Sequence, residues 1–216
     1  MARYIGAKCR LCRSQKQKLM LKGDRCLSVK CPIDKKSDLL RKGLPGKAAG
    51  LRMKKISDYG VQLKEKQKLK NIYGVLERQF RRYYDIANRK KGITGENLVE
   101  ILETRLDNIV YRMHFAASRA QARQFVLHNH VEVNGNLVNI PSYNVKQDDV
   151  ITVRDKSSKM KNVLDSLKRV GTDGVVPWLE VNPDEAKGIV RQIPRRNEIK
   201  DLESVNEQLI VELYSK

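Results

Sequence analysis

In residues 118–135, SRAQARQFVLHNHVEVNG, the apolar and polar positions sort into two neighbouring stripes at helical spacing. Ala122, Phe125, Val126 and Asn129 form a mainly apolar stripe, and at 100° per residue Arg119, Arg123 and His130 fall within about 40° of one another beside it. One face packs and its neighbour carries cations. Ser118 is placed as an N-cap, and Asn134-Gly135 suits the two φ > 0 positions of a two-residue hairpin turn. The segment therefore predicts a capped helix running without a linker into a β-hairpin. Bracing by strands matters because cationic side chains recognise a phosphate pattern only from fixed positions. The bland alternative is a solvated basic helix face.

The same periodicity organises the rest of the chain. Ser57-Asp58 opens a helical region in which Leu69, Ile72, Leu76, Phe80, Tyr83 and Ala87 recur at three- and four-residue steps, with a break near Gly74. Arg78 and Arg82 stack at i,i+4 on another face, with Arg81 and Arg89 as further cations. Tyr73, Tyr83 and Tyr84 could stack on bases, but aromatics at this spacing are more often core. After Gly92, Thr94 is placed as the cap of a helix carrying Leu98, Ile101 and Leu102, which leads through Leu106, Ile109, Val110 and Met113 to the Ser118 helix. Strands follow at 137–140 and 150–153, joined by a loop with Pro141, Tyr143 and Lys146, which predicts a compact α+β unit. Residues 156–170 read as an amphipathic helix, 175–181 around Trp178 as a strand, and 203–213 as a helix or packed terminal segment. Residues 32–56 hold Pro32, Pro45, Gly43, Gly46 and Gly50 among many basic residues and read as an extended basic arm.

Composition sharpens this picture. A 40% hydrophobic share permits real cores in a chain of 216 residues, and the 6% aromatic share makes them aliphatic. Net charge is +19, but residues 1–91 hold 27 of the 44 Lys and Arg and only 7 of the 25 Asp and Glu, so the remainder nets −1. Such a one-sided field points to a polyanionic partner, with nucleic acid first and an anionic membrane surface second. No stretch approaches the ~20 apolar residues of a spanning helix. MARYIGAKCR lacks an apolar signal core, so a cytosolic protein is expected.

All four cysteines lie in the first 31 residues, as Cys9-x2-Cys12-x13-Cys26-x4-Cys31. Cytosolic thiols stay reduced, so two nearby pairs favour one tetrahedral, structural Zn²⁺ over disulfides or redox chemistry. The spacers depart from the commonest template. Lys8, Arg10, Arg13, Arg25 and Lys30 would offset the charge of about −2 on a four-thiolate site. An open-coordination catalytic zinc is disfavoured, because none of the three histidines is close in sequence.

The stretch RLDNIVYRMHFAASRAQARQFVLHNHVEVNG, followed by VNIPSYNVKQDDVITV, resembles the alpha-L RNA-binding motif, over about residues 105–168. MARYIGAKCRLCR, ISDYGVQLKEKQKLKNIYGVLERQFRRYY, PWLEVN and EQLIVELYSK extend the resemblance over nearly the whole chain, to the bacterial small-subunit ribosomal protein four family in its zinc-binding form. The resemblance implies a structural constituent of the small ribosomal subunit, not an enzyme. It implies early binding to the five-prime domain of 16S rRNA at a multi-helix junction, a place near the messenger entry, contact with small-subunit ribosomal protein five, and influence on decoding accuracy. In some relatives it implies repression of their own operon by binding messenger RNA. PGKAAG at Pro45 lacks a histidine common in that loop, and Asp148 stands where the motif usually has glycine.

The expected architecture is α+β: a zinc-binding loop and basic arm over 1–42, a helical RNA-binding domain over 43–95 with 195–216 returning to it, and an inserted α+β domain over 96–194. Folded RNA suits a reader that grips phosphates and senses shape. In the α+β domain the candidate RNA contacts are Arg105, Arg112, Ser118, Arg119, Arg123, His130, Asn134 and Lys146. In the helical domain they are Tyr59, Gln62, Lys66, Arg78, Arg81 and Arg82. In the loop and arm they are Arg10, Arg13, Lys22, Arg25, Lys30, Lys35, Lys36, Arg41, Lys47, Arg52, Lys54 and Lys55. Two rivals are an RNA-modifying enzyme carrying the motif as an accessory and a zinc-containing DNA-binding regulator. Residues 154–216 show no catalytic constellation or nucleotide loop, and a regulator would prefer duplex DNA.

Overall fold

The computed structural model describes residues 3–34 and 56–215, which fall into two compact units: Met1–Arg82 with Glu203–Lys216, and Tyr83–Leu202. The first holds α1 (Lys8–Gln15), α2 (Asp24–Leu27), α3 (Asp58–Tyr73), the first turns of α4 (Glu77–Arg89) and a C-terminal helix, Glu207–Ser215. The division falls inside α4, between residues 82 and 83, and again between 202 and 203. The expected boundaries lie at 95/96 and 194/195.

Local chemistry sets the ends of α3. Ser57 Oγ accepts the Gly60 N–H at 3.3 Å, and Gly74 at φ 64° ends the helix in the left-handed region, its N–H bonded to Asn71 and Lys70 carbonyls. The C-terminal helix lies along α3; it buries Ile210, and α3 buries Leu69, Ile72 and Tyr73. A polar seam accompanies that packing: Gln62 donates to Glu212 at 3.0 Å, Lys68 to the Ser204 carbonyl at 2.9 Å, and Tyr214 to Glu77 at 3.0 Å. Tyr214 also stacks on Phe80, with centroids 6.4 Å apart.

The second unit contains α5 (Thr94–Glu103), α6 (Leu106–Arg112), α7 (Arg119–Leu127) and α8 (Lys161–Leu167), packed with five antiparallel strands ordered β2-β1-β3-β5-β4. These are β1 (Val131–Val133), β2 (Asn136–Leu137), β3 (Val150–Val153), β4 (Leu179–Asn182) and β5 (Lys187–Val190). Its core runs from Leu106, Ile109, Val110 and Met113 through Ala122 and Val126 to Val131, Ile151 and Trp178. The aliphatic character read from composition is visible there.

Several expectations need adjustment. Strand 137–140 is a two-residue β2, and the helix expected over 156–170 is broken into α8 flanked by the short helices Asp155–Ser158 and Arg169–Asp173. The strand expected over 175–181 is β4, Leu179–Asn182, which begins four residues later and leaves Trp178 just before it. Thr94 does not cap α5: it is the first helical residue, and Ile93 precedes it with no side-chain cap. β5 has no period of its own, being four residues with a glycine. A Cβ at Gly188 would stand 2.5 Å from Met113 Sδ, so the strand crosses α6 only because residue 188 has no side chain.

Candidate nucleic-acid interface

In the first unit, the face of α4 opposite its buried Phe80 exposes Arg78, Arg81 and Arg82. Tyr59 at the start of α3 is 59% exposed, with its ring available for stacking. Arg10, Lys22, Arg25 and Lys30 are exposed around the cysteine loop, with Arg13 half-buried. Lys35, Lys36, Arg41, Lys47, Arg52, Lys54 and Lys55 lie outside the described residues. Two candidates of this unit are corrected: Gln62 and Lys66 are buried on α3, because the C-terminal helix and Glu77 cover that face. Lys66 donates to Glu77 at 2.5 Å and Gln62 to Glu212, so both serve the fold.

In the second unit the arginines of the resembling motif fall into two clusters, Arg105 and Arg123 on Asp107, and Arg112 and Arg119 on Glu103, Asn108 and Asp201. Arg105 is 2% exposed, donates Nε to Asp107 Oδ1 at 3.0 Å and Nη2 to Oδ2 at 2.5 Å, and also donates to the Tyr83 hydroxyl. It is a brace, not an RNA contact, because its fork is consumed inside the protein. Burial works against its charge, but Asp107 and then Tyr83 outweigh that and raise its pKa. Arg123 reaches the same Asp107 at 3.2 Å. Arg112 donates two bonds to Glu103, 3.1 and 2.8 Å, and Glu103 also accepts from Asn108 at 2.7 Å. Arg119 donates to Asn108 at 2.8 Å, with its guanidinium carbon 4.6 Å from the Tyr111 ring centroid.

Asp201, from a 3-10 turn far along the chain, completes the cluster of Arg112 and Arg119. One of its oxygens stands 3.0 Å from both Arg112 Nη1 and Arg119 Nη2. Burial pushes its carboxyl up, but the two guanidinium groups outweigh this and hold it below the ordinary carboxylate value. The sequence reading missed Glu103, Asp107, Asn108 and Asp201. The first three are interleaved with the arginines in ETRLDNIVYR, a spacing that hints at internal pairing, while Asp201 is too remote to read.

The helix and hairpin hold the remaining candidates. Ser118 Oγ accepts the Gln121 N–H at 3.3 Å, so its side chain caps α7 as expected. Asn134 and Gly135 take φ 50° and 77° in the two-residue turn between β1 and β2. Asn134 is exposed, but its side chain accepts from Val150 N–H and donates to Asp149, both at 2.8 Å, which fixes the hairpin on β3. Asp148 occupies φ 63°, the conformation its place in the motif demands. His130 lies beyond α7, stacked on Phe125 with Nδ1 2.8 Å from Ser157 Oγ. Burial, with His128 and Arg154 nearby, lowers its pKa. Lys146 is exposed beside the turn.

The cysteine loop buries most of its thiols. Cys9 is half-buried; Cys12, Cys26 and Cys31 are buried and, with Leu19, make up the buried apolar residues of this loop. Burial raises the Cys12 pKa, as do Cys26, Cys9 and Cys31 nearby, while the Leu19 backbone N–H opposes. The Lys22 N–H donates to Cys26 Sγ at 3.3 Å. Four soft donors with N–H support are the chemistry of a structural thiolate site. Among the described residues no group of three or more His, Cys, Asp or Glu side chains is arranged as a metal site as it stands.

The helix leading into a small antiparallel sheet, with its arginines held by carboxylates, lies in the part of the second unit, residues 104–151, that matches the S4 domain. Residues 3–103 match the ribosomal protein S4/S9 N-terminal domain. The chain is 52% identical to small ribosomal subunit protein uS4A of Symbiobacterium thermophilum over 216 residues, all of both chains. It is 54% identical to uS4 of Thermoanaerobacter pseudethanolicus and 51% to uS4 of Citrifermentans bemidjiense, again over the full length of each. The chain belongs to the small-subunit ribosomal protein S4 family.

Proposed function

We propose that this chain is a structural constituent of the small ribosomal subunit that binds ribosomal RNA and catalyses no reaction. The observation that carries the reading is end-to-end identity with small-subunit uS4 proteins, joined to the exposed arginine face of α4. Arg78, Arg81 and Arg82 supply sequence-independent phosphate contacts, and the S4 domain reads the shape of a folded junction. The specific site is the five-prime domain of 16S rRNA. Small-subunit ribosomal protein five and messenger RNA are further partners, with an effect on decoding accuracy.

Cys9, Cys12, Cys26 and Cys31 would hold one structural Zn²⁺, which supplies the cross-link that a 32-residue loop with one buried leucine lacks. The buried thiols and the N–H groups aimed at two of the sulfurs support this.

Footprinting on small-subunit RNA, with and without metal chelation, tests the reading. Protection of one junction in the five-prime domain is the expected outcome. Equal affinity for unrelated RNA of the same length would overturn it, and preference for a duplex DNA sequence would favour a regulator.

A further inference from the structure

The two arginines that Asp201 joins are held differently on their inner and outer sides. Glu103 and Asn108, which grip Arg112 and Arg119 from within, are 0% and 1% exposed, whereas the Asp201 side chain retains 37% of its exposure. The inner partners hold guanidinium groups whose side chains are 10% exposed, with Asp201 on their outer side. Asp201 meanwhile uses one oxygen, 3.0 Å from a nitrogen of each, to bridge them. A phosphodiester's non-bridging oxygen bridges paired guanidinium groups in the same manner.

We propose that Arg112 and Arg119 form a ready-made phosphodiester site whose built-in occupant is Asp201, and that binding of RNA replaces this carboxylate with a phosphate oxygen. The proposal rests on the RNA-binding reading and adds a regulator to it. Asp201 keeps the charge of the pair covered while the protein is alone, which discourages non-specific polyanions and sets a threshold that only a phosphate delivered at the right place overcomes. Ile199 and Leu202, 3% and 0% exposed, anchor the turn on either side, so the carboxylate needs to swing only about its own side-chain bonds.

The test compares the full chain, Asp201→Asn, and Asp201→Asn in an Arg112→Ala/Arg119→Ala background, in binding to a folded five-prime-domain transcript. Asp201→Asn should bind about five- to tenfold more tightly, the loss of one competing partly exposed ion-pair set. The gain should vanish without the two arginines. Unchanged or weaker binding by Asp201→Asn overturns the proposal, as does a gain that persists without the arginines. In parallel, inorganic phosphate is titrated into the wild-type chain while the Nε–H resonances of Arg112 and Arg119 are followed. Both should shift, and at lower phosphate in Asp201→Asn; silence in the wild-type chain overturns the proposal even if the variant fails to fold. Because the phosphate arm contains no RNA, it separates this proposal from the RNA reading, whose own failure is a wild-type chain that does not prefer its transcript.

Discussion

Arg105 faces Asp107 as a two-point fork, Nε to Oδ1 at 3.0 Å and Nη2 to Oδ2 at 2.5 Å, with side chains only 2% and 6% exposed. A pair so buried cannot be halved cheaply. Arg105→Ala leaves the Asp107 carboxylate in the interior with Arg123 as its remaining cation, and should cost about 3–5 kcal/mol. Arg105→Lys should recover little, since an ammonium cannot reproduce the fork. Urea denaturation at unchanged slope measures the loss. A midpoint within error of wild type would show that the fork does not hold the unit together.

The exposed arginines of α4 should behave oppositely. Arg78, Arg81 and Arg82 are exposed and make no hydrogen bond or ion pair among the described residues, so replacing them by alanine should leave the denaturation midpoint in place. Affinity for the ribosomal transcript should fall, and the slope of log affinity against log salt should become shallower by about 2–3. An equal loss of stability would mean that these side chains pack rather than bind.

These two outcomes mark what the sequence could convey. Both capped helix starts, at Ser57 and Ser118, the Gly74 stop and the Asn134-Gly135 turn follow from short-range chemistry and were readable. So was the positive face of α4. The inward turn of Arg105 was not, because a helical wheel gives the face of a residue but not the acid waiting for it. Asp201 meets Arg119 across 82 positions, a separation that no local pattern carries. β5 escaped for a related reason: its close approach to Met113 at Gly188, not periodicity, sets it.

Glu77 ties α3 to the C-terminal helix through Lys66, Lys70 and Tyr214. Burial raises its carboxyl, but those three donors outweigh it and bring the pKa from 4.5 to about 2. A depressed carboxylate stabilises the fold fully above its unfolded pKa, so this contribution is present above about pH 4.5 and is lost as pH falls toward 2. The side chain is 46% exposed, and with that screening the contribution is about 1 kcal/mol. Wild type and Glu77→Gln should differ in stability at pH 6 and converge at pH 2. A constant difference across that range would assign the effect to something other than this charge.

Metal removal probes the cysteine loop separately. Without a cross-link, residues 3–34 have Leu19 and three buried thiols as their apolar interior, too little to order a loop of that length. A structural Zn²⁺ contributes about 10–16 kcal/mol to such a segment, so one ion per chain should be found in freshly purified reduced protein. Chelation should then expose α1 and α2 to proteolysis and to amide exchange. The sheet of the second unit, whose core of Val131, Ile151 and Trp178 contains no cysteine, should keep its protection. A stoichiometry near zero, or a loop equally protected after chelation, would show that the four thiols fold without the ion.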